Sequence, residues 1–404
     1  MEIRSTTDQE LDVFVDTLYA AFARFPESPG EGGRVRWSEL EMDRSLLAVA
    51  PDGRPVGTAS AYSFELTLPG EVLVPAAGVT AVGVLPTHRR QGVLSAMMRH
   101  QLAELRDRGD LLSVLLASEA LIYRRFGYGP ATYTARLKVP RHQAAFALPR
   151  AYGTAPASGS VELLQRAECG EILEEVYDRY RRAQPGALSR PHRWWVSGAG
   201  QPPISPAQRY VAVHRDVDGV PDGYASYSLS QPDTLTVDET IATDDAVFTA
   251  LARFVLGHDL VTQVVFKHVP AEHPLRWQLA DFRAGEVFDD TDWLWVRLLD
   301  IPRALTARGW FTDGELVLDV DDPFLGERGR YLLTVRESKA ECVATDREPD
   351  LSLDVSDLGS VYLGGTAPST LVRAGHIRAH RPGAATLADA LFRGERSPHC
   401  LHWF

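Results

Sequence analysis

The order of signals that most constrains this chain is a strand, a polar loop, a helix with one apolar face, a glycine stop and a second, largely apolar strand. The first strand lies at residues 79–84 and its loop at 86–92; the helix then carries Val93, Leu94, Met97, Met98, Leu102 and Leu105 on one face. Gly109 stands where a helix C-cap is wanted, and 111–117 is an apolar run broken only by Ser113. A strand joined through a crossover helix to a second buried strand makes the two strands parallel neighbours in a mixed sheet. The same order returns later, with a strand at 235–241, a helix carrying Val247, Leu251, Phe254 and Val255, Gly257 as terminator and a buried strand at 260–266.

What precedes each crossover also repeats. A short strand at 2–4 comes first, and Thr7 and Glu10 form a capping box ahead of Leu11, Phe14, Leu18, Phe22 and Phe25 at helical spacing. Segments 45–50 and 56–68 flank the turn signal Pro51, Asp52, Gly53 as an antiparallel hairpin. In the second copy, a helix with Ile172, Val176, Tyr177 and Tyr180 leads to Trp194 and Trp195, as the first leads to Trp37, and a hairpin follows at 210–215 and 224–229. An internal duplication is the economical reading. After 293 the pattern changes to alternating strands at 315–320, 331–335 and 341–345 with apolar helices near 368–374 and 384–392, a separate α+β domain. Residues 397–404 have no period yet end in Trp403 and Phe404, which predicts a docked tail and not a solvated one. A chain of 404 residues exceeds what one core serves, and these patterns set domain limits of 1–146, 147–292 and 293–404.

A net charge of −12 opposes nucleic acid and anionic membrane as principal partners and favours a cationic one. No apolar run approaches the roughly 20 residues that cross a bilayer, and the acidic start with Glu2, Asp8 and Glu10 is unlike a secretory signal. Cys169, Cys342 and Cys400 are far apart and lack any CxxC spacing, which fits a reducing cytoplasm and offers no metal site.

The chemistry concentrates where the first loop meets its helix. Thr87, His88, Arg89, Arg90, Gln91 and Gly92 lead straight into a helix N-terminus, where unpaired N–H groups and the positive end of the helix dipole gather. Gly92 permits close backbone approach and two arginines add positive charge, an arrangement that grips a pyrophosphate; the bland alternative is a solvated basic loop. In the second copy Thr243, Asp244, Asp245 and Ala246 occupy the equivalent place, and two carboxylates repel a pyrophosphate.

The run VTAVGVLPTHRRQGVLSAMM resembles the acetyl-CoA motif of the GNAT superfamily: Arg89 and Gly92 match it, while Leu94 stands where a small residue is usual. The resemblance implies that the backbone of Val82, Gly83 and Val84 pairs with the pantetheine arm. It also implies that the amides of Arg90, Gln91, Gly92, Val93, Leu94 and Ser95 wrap the pyrophosphate. In ASEALIYRRFGYG, Tyr123 aligns with the tyrosine that protonates the leaving thiolate, with Tyr128 as the alternative and Ser118 and Glu119 completing the cofactor set. A tyrosine with an ordinary pKa of about 10 suits an acid at neutral pH. The strand at 79–84 holds no ionisable side chain where many of these enzymes place a glutamate base, and Glu119 is a base candidate by proximity only.

HRRQG, SEALIYRRFGYG, the duplicated unit, the last α+β domain and the terminal phenylalanine together resemble the Eis (enhanced intracellular survival) family over essentially the whole chain. The implied fold is α/β and α+β: tandem GNAT folds, the second degenerate, followed by a sterol-carrier-protein-like α+β domain. The implied base is the α-carboxylate of Phe404, threaded into the N-terminal domain. The implied reaction is acetyl-CoA-dependent N-acetylation, without metal, of polycationic small molecules such as aminoglycosides, at one or several amines, in a homo-hexamer. Trp37 either walls the acceptor cavity or is a core side chain. Two other readings stand beside this one: a protein-lysine acetyltransferase, and a carrier of an apolar ligand with a vestigial acetyltransferase.

Overall fold

The computed structural model describes residues 1–23, 37, 39–147, 159–197, 209–229, 233–270 and 272–404. The Glu10 carboxylate accepts from the Thr7 amide at 3.1 Å, and the short turn it caps runs into helix α1 (Leu11–Ala21), which buries Phe14, Val15 and Leu18. Phe22 ends that helix, and Phe25 lies outside the described residues. Strands β1 (Glu2–Ser5), β2 (Leu46–Val49), β3 (Pro55–Leu68) and β4 (Val72–Val84) are successive antiparallel neighbours. The strand expected at 79–84 thus begins seven residues earlier, after a tight turn at Gly70 and Glu71, both with positive φ. Helix α2 (Val93–Asp107) then crosses to β5 (Leu112–Leu116), which runs parallel to β4, as the crossover pattern requires. A four-residue helix α3 (Ala120–Tyr123) and the two-residue strand β6 (Gly129–Pro130) follow.

The chain then changes sheets. Strand β7 (Tyr133–Pro140) pairs with residues of the second unit, which continues as β8 (Ser160–Gln165), α4 (Ile172–Ala183), α5 (His192–Ser197), β9 (Arg209–Arg215), β10 (Pro221–Leu229), β11 (Thr234–Ala242), α6 (Asp245–Leu256), β12 (Gln263–Val269) and β13 (Glu286–Asp292). The second sheet is ordered β13-β7-β12-β11-β10-β9-β8, with β11 and β12 parallel. The strand expected at 260–266 sits three residues later, because Leu260 is exposed in the turn and the Thr262 amide is drawn to the Asp233 carbonyl at 2.9 Å. Strand β14 (Leu294–Leu298) returns to the first sheet between β5 and β6, giving the order β1-β2-β3-β4-β5-β14-β6. Sheet membership therefore departs from the limits at 146/147 and 292/293: 133–140 belongs to the second sheet and 294–298 to the first. Pairing between segments more than a hundred residues apart leaves no local trace in the sequence.

The last unit holds α7 (Ile301–Ala307), β15 (Gly314–Asp322), β16 (Glu327–Arg336), β17 (Lys339–Ala344), β18 (Leu351–Asp354), α8 (Val355–Tyr362), α9 (Pro368–Arg373), β19 (Arg378–Ala379) and α10 (Ala384–Phe392). Its five strands are ordered β17-β16-β15-β18-β19. Helix α8, capped by the Asp354 carboxylate on the Ser356 amide, is absent from the sequence reading; it is only eight residues long, and all eight, Ser356, Asp357 and Ser360 included, are buried. It lies directly on the first sheet: a Cβ on Gly359 would stand 2.2 Å from the Val296 carbonyl oxygen, so only glycine fits this contact. Buried Arg297 of β14 donates to the Phe126 carbonyl and pairs with Asp322, joining the last unit to the first. No described helix is long and apolar enough to cross a membrane.

Candidate active site

Strands β4 and β5 pair only over Ala76–Gly78 and Leu112–Val114. Beyond Gly78, β4 keeps its ladder to β3 as far as Val84, so the edge of 79–84 that faces β5 has no strand against it. One extra residue on β4 opposite Thr58 and Ser60 makes a bulge, with Ala81 at φ +51° and the Thr58 hydroxyl donating to the Ala81 carbonyl at 2.8 Å. Bulges bend and re-aim a strand, and this one opens the gap that Val82, Gly83 and Val84 border. Unpaired backbone groups along such an edge are available to an extended amide-bearing ligand.

The loop after β4 ends at Gly92, whose φ of +83° is the left-handed conformation glycine adopts without strain. No side chain caps α2, so the amides of Val93, Leu94 and Ser95 face the loop unclaimed by any capping group, the requirement for holding an anion. The two arginines divide. Arg89 donates from Nε to the Val84 carbonyl at 3.2 Å and from Nη2 to the Ala21 carbonyl at 2.6 Å, so it braces the loop against β4 and α1. Arg90 is exposed, and among the described residues nothing pairs with it. Gln91 donates to the Thr87 carbonyl at 3.1 Å. The bulk of Leu94, where a small residue is usual, is turned into the apolar core beside α2, and Val93 is buried there.

Tyr123 closes α3 and is 8% exposed, in the cluster that holds Ala77 and Val79. Burial raises its pKa, opposed by a hydrogen bond with Ser118, so the phenol stays protonated. Tyr128 is wholly buried, bonds the Ser113 hydroxyl at 2.6 Å and is pushed up to about 12 by burial; it is a core side chain. Ser118 and Glu119 are exposed at the start of α3, and Glu119 makes no capping hydrogen bond.

The C-terminal tail is docked as its aromatic composition predicts. Gln184 donates to the Ser397 carbonyl at 2.9 Å, the His399 amide to the Pro185 carbonyl at 2.8 Å, and Trp293 Nε1 to the His402 carbonyl at 3.0 Å. His402 is fully buried and stacked on Trp194, with ring centroids 4.9 Å apart. Burial, then the nearby Arg190 guanidinium, holds its imidazole well below the usual histidine range, and Arg190 is itself balanced by Glu239 at 3.3 Å. The Phe404 ring ends against Phe64, centroids 5.1 Å apart, and against Gly78, where a Cβ would come within 3.1 Å of it. Gly78 is the last residue of β4 paired with β5. Side chains alternate along a strand, so Phe404 lies on the Ala76/Gly78 face and the Tyr123 cluster on the Ala77/Val79 face, where the two strands part. Trp37 is half-buried against the same core as Phe64.

The sequence reading does not single out Phe64, Arg190 or His402, and it names Trp194 only as the counterpart of Trp37 in the repeat. The density of histidine and aromatic residues in RPHRWW and HCLHWF was the available signal. In the second unit the Asp244 carboxylate accepts from the Ala246 and Val247 amides at 2.8 and 2.9 Å, so the chain's own side chain fills the place an anion would take.

Residues 2–131 match the Acetyltransferase (GNAT) domain family, 186–298 a second Acetyltransferase (GNAT) domain family and 301–401 the Sterol carrier protein domain family. An N-acetyltransferase of Streptomyces griseus is 37% identical over 412 residues, 99% of each chain. N-acetyltransferase Eis of Mycobacterium tuberculosis is 33% identical over 391 residues, 93% of each chain. The crystal structure of Eis1 from Mycobacterium abscessus superposes with a TM-score of 0.86 at 34% identity, covering both chains in full. Likeness at this level along the whole length, on tandem GNAT units and a sterol-carrier-like domain, makes the chain a member of the Eis family of N-acetyltransferases.

Proposed function

We propose that the chain transfers an acetyl group from acetyl-CoA to amines of polycationic small molecules such as aminoglycosides, at a single site in its first unit. The observation that supports this reading is the position of the Phe404 ring, which lies against Gly78, where β4 and β5 part, on the strand whose far end leads through the loop to the uncapped N-terminus of α2. The edge at Val82, Gly83 and Val84 would hold the pantetheine amides, and the loop amides with Arg90 the pyrophosphate. Acetyl-CoA supplies the activated thioester carbonyl.

In this reading the Phe404 carboxylate takes a proton from the acceptor ammonium, since only the free amine attacks a thioester. As the C–N bond forms and the C–S bond breaks, the Tyr123 hydroxyl gives its proton to the departing sulfur, and the second proton shed by the acylated nitrogen restores the phenol. The Phe64, Trp194 and His402 rings around Phe404 exclude water from the proton transfer, and a neutral His402 leaves the nearby carboxylate unpaired by an imidazolium. The packing of α8 onto β14 supports a scaffold role for the last unit over a carrier of apolar ligands.

The overall charge of −12 favours a multiply charged acceptor through a field that salt screens. Thiol release from acetyl-CoA should therefore be faster with aminoglycosides or polyamines than with neutral amines, and kcat/KM should fall as ionic strength rises. Release that requires no amine, or that ignores acceptor charge and salt alike, would remove the proposal.

A further inference from the structure

The second unit repeats the parting of strands that makes the site of the first. β11 and β12 pair over Thr234–Val237 and Gln263–Phe266 only, and beyond this point β11 continues along β10 alone. A cavity of about 380 Å³ lies where they separate, within the range of small-molecule sites. Thr240, Asp245, His268, Glu272, His273 and His399 are among its walls, so one side is built from the C-terminal tail.

Its chemistry is opposite to that of the first unit. The α6 amides are taken by Asp244, which excludes an anion. Four carboxylates, Asp244, Asp245, Glu272 and Glu395, face one guanidinium, Arg396. Of these, Glu272 accepts from the Ser397 hydroxyl at 2.9 Å and Glu395 from the Gly70 amide at 2.9 Å, and hydrogen bonding leaves their negative charge in place. The three histidines add no positive charge at neutral pH: burial pushes His268 and His273 down to about 4 and His399 to about 3. His399 is 2% exposed, and its Nε2 has no hydrogen-bond partner among the described residues. A buried ring nitrogen left unmet is destabilising, which a ligand N–H relieves when the ring proton sits on Nδ1.

We propose that this cavity is a second, non-catalytic site for a compact organic ammonium, whose N–H group meets His399 Nε2 and whose charge is matched by Asp245 and Glu272. An organic ammonium supplies both positive charge to offset the surplus of carboxylates over Arg396 and a directed donor for His399 Nε2.

The test uses the full chain and permethylated putrescine, a tertiary diamine that carries one N–H on each protonated nitrogen and cannot accept an acetyl group. Titration calorimetry should show saturable binding to the wild type, weakened at least about tenfold in the double variant Asp245→Asn, Glu272→Gln. Both side chains are exposed, so melting temperature and acetyl-CoA affinity should not change. Equal affinity in the variant, or no saturable heat in the wild type, would overturn the site. Because the readout is binding of an unreactive amine, it is independent of whether the first unit transfers acetyl groups.

Discussion

Two tyrosines five residues apart have different environments, and the proposed roles follow that difference. Tyr128 is sealed by Ser113 and the core, whereas Tyr123 bonds exposed Ser118 at the mouth of the gap between β4 and β5. Tyr123→Phe keeps the packing and deletes the proton donor, so kcat should fall by about 10² to 10⁴ with acetyl-CoA affinity nearly unchanged. Tyr128→Phe should lower the melting temperature and leave kcat within a few-fold; steady-state kinetics showing the reverse would exchange the two roles. The neighbouring arginines divide in the same way. Arg90→Ala should weaken acetyl-CoA binding by about tenfold or more with no loss of stability, as removal of a charge-assisted contact does. Arg89→Ala should weaken binding and also lower stability by about 1 kcal/mol, because it releases the Ala21 and Val84 carbonyls. Calorimetry and thermal melts on both variants separate a cation from a brace; equal melting temperatures would remove the distinction.

At the scale of elements, the tail is the segment most exposed to pH. His399 and His402 have docked-state pKa values depressed below the ordinary value of about 6.5, so the stabilisation they allow is fully present above that value. It is lost as pH falls towards the docked values, about 3 for His399, because the released tail binds protons that the docked tail does not. Hydrogen exchange in 397–404, corrected for the intrinsic rate, should therefore quicken between pH 7 and pH 5 before the sheets open. Unchanged protection over that window would contradict the assignment. The elements themselves were largely legible: periodicity gave α1, α2, α6 and α10 their existence and type, and the crossovers gave two parallel strand pairs. What stayed hidden has physical causes. Helix α8 is short and buries its polar residues with its apolar ones, the start of β4 depends on the tight turn at Gly70 and Glu71, and 260–266 does not set its own start because Leu260 and Thr262 belong to the turn. Of the site, the loop, Tyr123 and the aromatic terminus stood out, whereas the bulge at Ala81 and the brace from Arg89 depend on contacts across the fold.

At the scale of the whole molecule, three units are interlocked instead of strung together. β7 and β14 cross between the first two sheets, α8 lies on β14, and the tail passes the second unit to end on the first. Such topology docks the tail through Ser397, His399, His402 and the Phe404 ring, where an ordinary chain end frays. In the proposed reading the duplication supplies one acetyl-CoA site and one unit that shapes the path of the tail; the Asp244 carboxylate closes the second helix terminus. The measurement that tests this account most directly is acetyl transfer by an enzyme with Gly-Ser appended after Phe404, beside acetyl-CoA affinity measured on the same preparation. The account predicts that turnover is lost while acetyl-CoA still binds with nearly wild-type affinity, because only the carboxylate has been displaced. Full turnover in the extended chain would contradict it and return Glu119 or solvent as the proton acceptor.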